Sequence, residues 1–167
     1  MPRRDRQLAI DVLLGALTGA AATWAMDQAT TLIQERQPEK VTKRETRVRG
    51  AKSAYEVAAE KGAKLAGRRI TKTQRQRIGA GIHWSLGVGA GMIYGILRNR
   101  VRFFGIGSGV AFGVAMYLVV DEAGLAALGL APAPTEFPWQ THARGLAGHL
   151  VLGAVLDAAF GVADLVS

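Results

Sequence analysis

Cysteine is absent from the 167 residues, which excludes disulfides, thiolate metal sites and thiol nucleophiles. Aromatic residues make up only 7%, and there are five prolines. Three of these, Pro132, Pro134 and Pro138, fall within residues 131–138, which therefore cannot form regular helix. Acidic residues are also scarce, with 13 against 21 Lys and Arg.

Glycine is abundant, with 21 in a chain that is 49% hydrophobic. The basic charge is concentrated: residues 34–77 hold 14 Lys or Arg against five acids. What surrounds this basic insert is nearly neutral and apolar. Four apolar stretches, at about 8–33, 78–97, 103–120 and 143–165, each approach the ~20 residues a helix needs to cross hydrocarbon. Residues 123–130 are either a continuation of the third or an interfacial piece, and Trp139 stands where an interfacial anchor would. Arg3 and Arg4 before an apolar run resemble a secretory or twin-arginine signal. Asp11 inside the run and the lack of a clean break after it favour a retained helix.

The insert carries its own helix signals. Ser53 with Glu56 has capping-box spacing, Glu60 and Lys64 form an i,i+4 pair, and Gly67 is a stop, predicting an amphipathic helix over 54–66. Thr71 with Gln74 repeats the box and starts a helix that runs on through Ile78. A plain count of positive charge places the insert in the cytoplasm, whereas dominance of the first helix opposes that count, because the connection is long.

Residues 79–95, GAGIHWSLGVGAGMIYG, suggest a phosphate-cradling loop. A dinucleotide fingerprint needs a preceding strand, GxGxxG spacing and a later acid, and none of these is present. Steps of four read differently: Gly79, His83, Gly87, Gly91 and Gly95 form a small-residue ridge that lets a second helix approach closely. The third stretch repeats it with Gly105, Gly109, Gly113, Tyr117 and Asp121, and the fourth with Gly145, His149, Gly153, Asp157 and Gly161. The first offers Asp11, Gly15, Gly19, Thr23, Asp27 and Thr31.

Ionisable groups in hydrocarbon cost at least ~2.5 kcal/mol, so Asp27, His83, His149 and Asp157 are expected to converge as a buried polar cluster, with Tyr117 and Asp121 as secondary members. They serve either as interhelical hydrogen-bonding glue or as a proton, ion or solute pathway. The histidines could instead ligate a haem, and His142 with His149 could share a face for a metal, but neither spacing is specific. Ser85 and His83 lie on different helix faces and form no triad. The insert has Tyr55 as its single aromatic and no nucleic-acid motif. Its Lys61, Lys64, Arg68, Arg69 and Lys72, with Arg98, Arg100 and Arg102 in the later turn, are expected to contact anionic headgroups.

The segments GALTGAAATWAMD, IHWSLGVGAGMIYG and FPWQTHARGLAGHLVLGAV resemble the YagU-like family of bacterial inner-membrane proteins. His83, the Pro138 and Trp139 pair, and Gly148, His149 and Leu150 match its pattern, whereas the basic insert departs from it. The resemblance implies an integral inner-membrane protein and no established reaction. The expectation is thus a single all-α, multi-pass membrane domain of four glycine-rich helices, with a basic amphipathic insert lying on the membrane face. It is expected to be non-enzymatic and without cofactor or metal, structural or accessory in the envelope, with lipid as partner and glycine ridges available to a second copy or another membrane protein.

Overall fold

The computed structural model describes residues 3–101, 104 and 107–165. It is helical, with no strand among the described residues. Four helices are long and apolar enough to cross a membrane. The first is Arg3–Glu35, the second Lys72–Arg100, the third Ser108–Ala127 and the fourth Trp139–Leu165. Large apolar side chains such as Leu13, Leu17, Ile93, Val119 and Val162 point outward, as lipid-facing positions do. The second helix, at 29 residues, is about 43 Å long and outruns the hydrocarbon core. Its first turns, with Lys72, Arg75 and Arg77, therefore project beyond it.

The glycines set which helices touch. A Cβ on Gly15 would lie 2.5 Å from the Gly91 carbonyl oxygen, and one on Gly19 would lie 2.7 Å from that of Gly87. The first and second helices are thereby locked antiparallel, backbone against backbone. The third and fourth are locked in the same way: Gly109 and Gly153 face each other's carbonyls more closely still, and Gly113 faces that of His149. The first and fourth helices join the two pairs, where Gly148 receives Thr30 and Met26. Not every ridge position is used, since Gly161 faces open space, and Gly105 lies outside the described residues.

The third helix is not uniform. Over Tyr117–Gly124 it widens to π-helical turns, which add a residue to each turn and stack Tyr117 above Glu122. Residues 123–127 then continue the helix.

The insert forms two helices, Glu39–Arg49 and Ala54–Leu65. Both capping boxes, Ser53 with Glu56 and Thr71 with Gln74, are formed. Glu39–Arg49 has no counterpart among the helices expected from sequence, although Pro38 before it, an ion pair of Glu39 with Lys43 and Gly50 at φ 74° after it mark its ends. The insert is tied to the bundle by its own side chains. It folds over one end of the bundle as a cap: Arg144 of the fourth helix donates to Glu45 at 2.5 and 3.0 Å, and Lys61 donates to the carbonyls of Leu128 and Gly129 at 3.1 and 2.8 Å. The physical reason is helix-end chemistry, because those carbonyls close the third helix and lack intrahelical donors.

Candidate functional site

The two ends of the bundle are built differently. At the end opposite the cap, Asp11 is 2% exposed and accepts from Gln7, Asn99 and Arg100 at 3.1, 2.7 and 2.8 Å. Asp157 accepts from Tyr94 at 2.7 Å, the Gly107 backbone N–H at 2.6 Å and Arg98 at 3.3 Å. Arg98 also reaches Asp164 at 2.8 Å, and its side chain is only 5% exposed. Just inside these pairs lies an aromatic stopper of Tyr94, Phe104, Phe112 and Phe160, with ring centroids 5.2 to 6.4 Å apart. Polar groups here are matched and apolar ones are packed.

Under the cap lies a cavity of about 340 Å³. The register set by Gly19 and Gly87 brings Asp27 near His83, whose Nε2–H donates to it at 2.9 Å. Tyr55 of the cap lays its ring on His83, 5.1 Å between centroids. From the π-helical segment, Glu122 accepts from the Tyr117 hydroxyl and from His142 Nδ1, the latter at 2.6 Å. His142 Nε2 faces the Pro134 carbonyl at 3.0 Å, so both ring nitrogens meet acceptors. His149 Nδ1 donates to the Gly145 carbonyl at 3.0 Å and stands 3.8 Å from Asp121.

The four residues expected to converge do so only in part. Asp27 and His83 pair, and His149 joins His83 along a second, smaller cleft with Tyr55. Asp157 is at the other end. Its eight-residue separation from His149 on one helix is about 12 Å of rise, too far for a shared cluster. Tyr117 and Asp121 line the cavity as principal members. The cleft lined by both His83 and His149 measures about 30 Å³, far less than a porphyrin occupies. Among the described residues no three His, Asp or Glu side chains approach closely enough to hold a metal.

Three groups of the site escape sequence reasoning: the Glu122–His142–Tyr117 cluster, the Arg144–Glu45 pair with Gln37, and Tyr55 as a wall of the cavity. Arg144 followed by the glycines of the fourth helix is the available signal, as an intramembrane cation requires a partner. Of the expected headgroup contacts, Lys64, Arg68, Arg69 and Lys72 are exposed. Arg98 is buried against Asp157 and Asp164, Arg100 holds Asp11, and Lys61 ties down the third helix, because each finds an acid or a carbonyl within the chain. Arg102 lies outside the described residues.

Electrostatics follow burial in the cap. Burial alone pushes the Glu45 carboxyl up, but the bonded Arg144 guanidinium, then Gln37 and Arg49, more than reverse this and hold it below the usual carboxylate range. Burial, followed by the charges of Asp121 and Asp27, pushes the Tyr55 phenol far above its ordinary value. Tyr55 is therefore a neutral hydroxyl at any physiological pH.

Residues 61–158 match the model of a family described as protein of unknown function, DUF1440. The chain belongs to this family. The match covers the second and third long helices and most of the fourth, with His83, Asp121, Glu122, His142 and His149, whereas Asp27, Glu45 and Tyr55 lie outside it. No curated protein and no solved structure matches the chain. With four helices long and apolar enough to cross a membrane, this DUF1440 chain fits a multi-pass membrane protein.

Proposed function

We propose that the protein is a non-enzymatic, YagU-like component of the bacterial inner membrane that holds a small polar solute in the capped cavity, in an accessory role in the envelope. The observation that carries this reading is the contrast within one bundle: a cavity of about 340 Å³ under the cap and an aromatic stopper beyond it. A recess lined from the cap end, with the packed rings of Tyr94, Phe112 and Phe160 farther along the bundle, suits binding from one side rather than conduction. The exposed Lys64, Arg68, Arg69 and Lys72 suit attachment to anionic headgroups, each worth about 1 kcal/mol near the surface. Glycines such as Gly161 that face open space leave room for a second copy or another membrane helix.

Proteoliposomes with a trapped pH-sensitive dye test holding against conduction. Wild-type protein is expected to leak protons no faster than protein-free vesicles. A faster leak that His83→Ala abolishes would replace the holding reading with a pathway.

A further inference from the structure

The cavity has four acidic side chains in its lining, and three of them are engaged. Asp27 accepts from His83, Glu45 from Arg144 and Glu122 from His142. The cations that line it are engaged as well: Arg144 and Arg49 with Glu45, and Lys52 with Glu60. Asp121 differs, since no hydrogen bond reaches its carboxylate among the described residues. Its ion-pair neighbour His149 Nδ1 is 3.8 Å away and already committed to the Gly145 carbonyl.

Two hydroxyls of the same lining are also unsatisfied. Thr141 Oγ1 is buried with no hydrogen-bond partner, and the Tyr55 hydroxyl has none among the described residues. The antiparallel register explains why these groups share one place. Gly113 meets His149, Tyr117 meets Gly145, and the Asp121 carboxylate reaches Gly145 as well, one turn along the fourth helix from Thr141. Asp121 lies against Gly145, and its charge bears on Tyr55 from the third wall. Buried polar groups are nearly always paired, so the unpartnered Thr141 Oγ1, in one lining with a carboxylate and a phenol that no hydrogen bond reaches, points to a missing partner. Around them Met26, Leu125, Leu130, Pro132 and Phe137 supply apolar walls.

Resting on the reading of the cavity as a solute site, we infer that its ligand is a small organic cation, a primary ammonium on a short apolar body. The ammonium donates to Asp121, with Tyr55 and Thr141 accepting its remaining N–H groups, and the hydrocarbon body lies along the apolar walls. An ammonium has three donors and no acceptor, which matches this set. The volume of about 340 Å³ admits a molecule of this size.

The absence of cysteine makes the test direct. In the purified full chain, Thr30→Cys places one thiol in the cavity lining, and its modification rate by an anionic methanethiosulfonate is followed. n-Butylamine is expected to slow modification saturably, while 1-butanol, its neutral isostere, leaves the rate unchanged. Adding Asp121→Asn is expected to weaken butylamine protection about tenfold or more, as loss of a charged hydrogen bond does. Equal protection by amine and alcohol overturns the inference without needing the second variant, and so does protection that survives Asp121→Asn. Modification of the introduced thiol with no protection by amine leaves the solute cavity standing and removes the ammonium. A folded protein whose introduced thiol never reacts removes both.

Discussion

At one end of this bundle Asp11 and Asp157 are each surrounded by three donors, and at the other end Asp121 receives none among the described residues. The same residue type, carried at helix ends in one chain, meets two treatments. Where carboxylates close the bundle, both oxygens of each accept hydrogen bonds and aromatic rings fill the space behind. Under the cap, side chains are held apart around a void, and some polar groups stay open. A matched carboxylate stabilises, whereas an open one in a cavity costs stability and is retained for what it binds.

This contrast predicts a graded set of effects. The largest belongs to the closed end: Asp157→Ala leaves the buried Arg98 guanidinium to Asp164 alone, takes the carboxylate from the Tyr94 hydroxyl and the Gly107 N–H, and should cost about 3–5 kcal/mol. Equilibrium unfolding in mixed micelles would register it, and a loss near zero would mean that the closed end is not clamped. Next comes Gly91→Ala, whose Cβ would collide with the Gly15 carbonyl oxygen. Forcing the first and second helices apart should cost about 1–3 kcal/mol, while Gly161→Ala, facing open space, should stay within about 0.5 kcal/mol. Equal effects of the two would remove the argument for close helix contact.

A third effect is confined to the cap and depends on pH. Glu45 has its folded pKa lowered, so its pairing with Arg144 stabilises the docked cap fully above the ordinary value of 4.5. That contribution is lost as pH falls through the lowered folded value. Hydrogen exchange of Glu39–Arg49, taken relative to the intrinsic rate at each pH, should therefore be unchanged from neutral pH down to about the ordinary value and rise only in more acid solution. A rise beginning near neutral pH would mean that another group docks this helix. The smallest effect is at the open carboxylate: Asp121→Asn should leave stability within about 1 kcal/mol of wild type, or raise it, because no bond is lost. A cost as large as that of Asp157→Ala would place Asp121 among the structural carboxylates.

Much of the architecture is legible in the sequence because it rests on local signals. Four apolar stretches of spanning length, two capping boxes and glycines in steps of four each report a helix or its contact surface directly. The Glu39–Arg49 helix is hidden because its charged sequence has no apolar periodicity, although Pro38 and Gly50 bracket it. The site is less legible, since it depends on which helices pair and in what register. The shared ridge groups Asp157 with His149, yet the rise between them carries Asp157 to the opposite end. Glu122 and His142 meet only because the π-helical turns of the third helix rotate Glu122 beneath Tyr117. Nothing in a four-residue count anticipates a turn of five.

The central claim is that the cavity opens toward one side of the membrane only. Sided labelling of Thr30→Cys in intact and inverted membrane vesicles tests it most directly, with an impermeant methanethiosulfonate added from each face in turn. Modification from the face that carries the cap, and from that face alone, is the predicted result. Modification from both faces would contradict it, since the aromatic stopper of Tyr94, Phe112 and Phe160 would then not close the bundle.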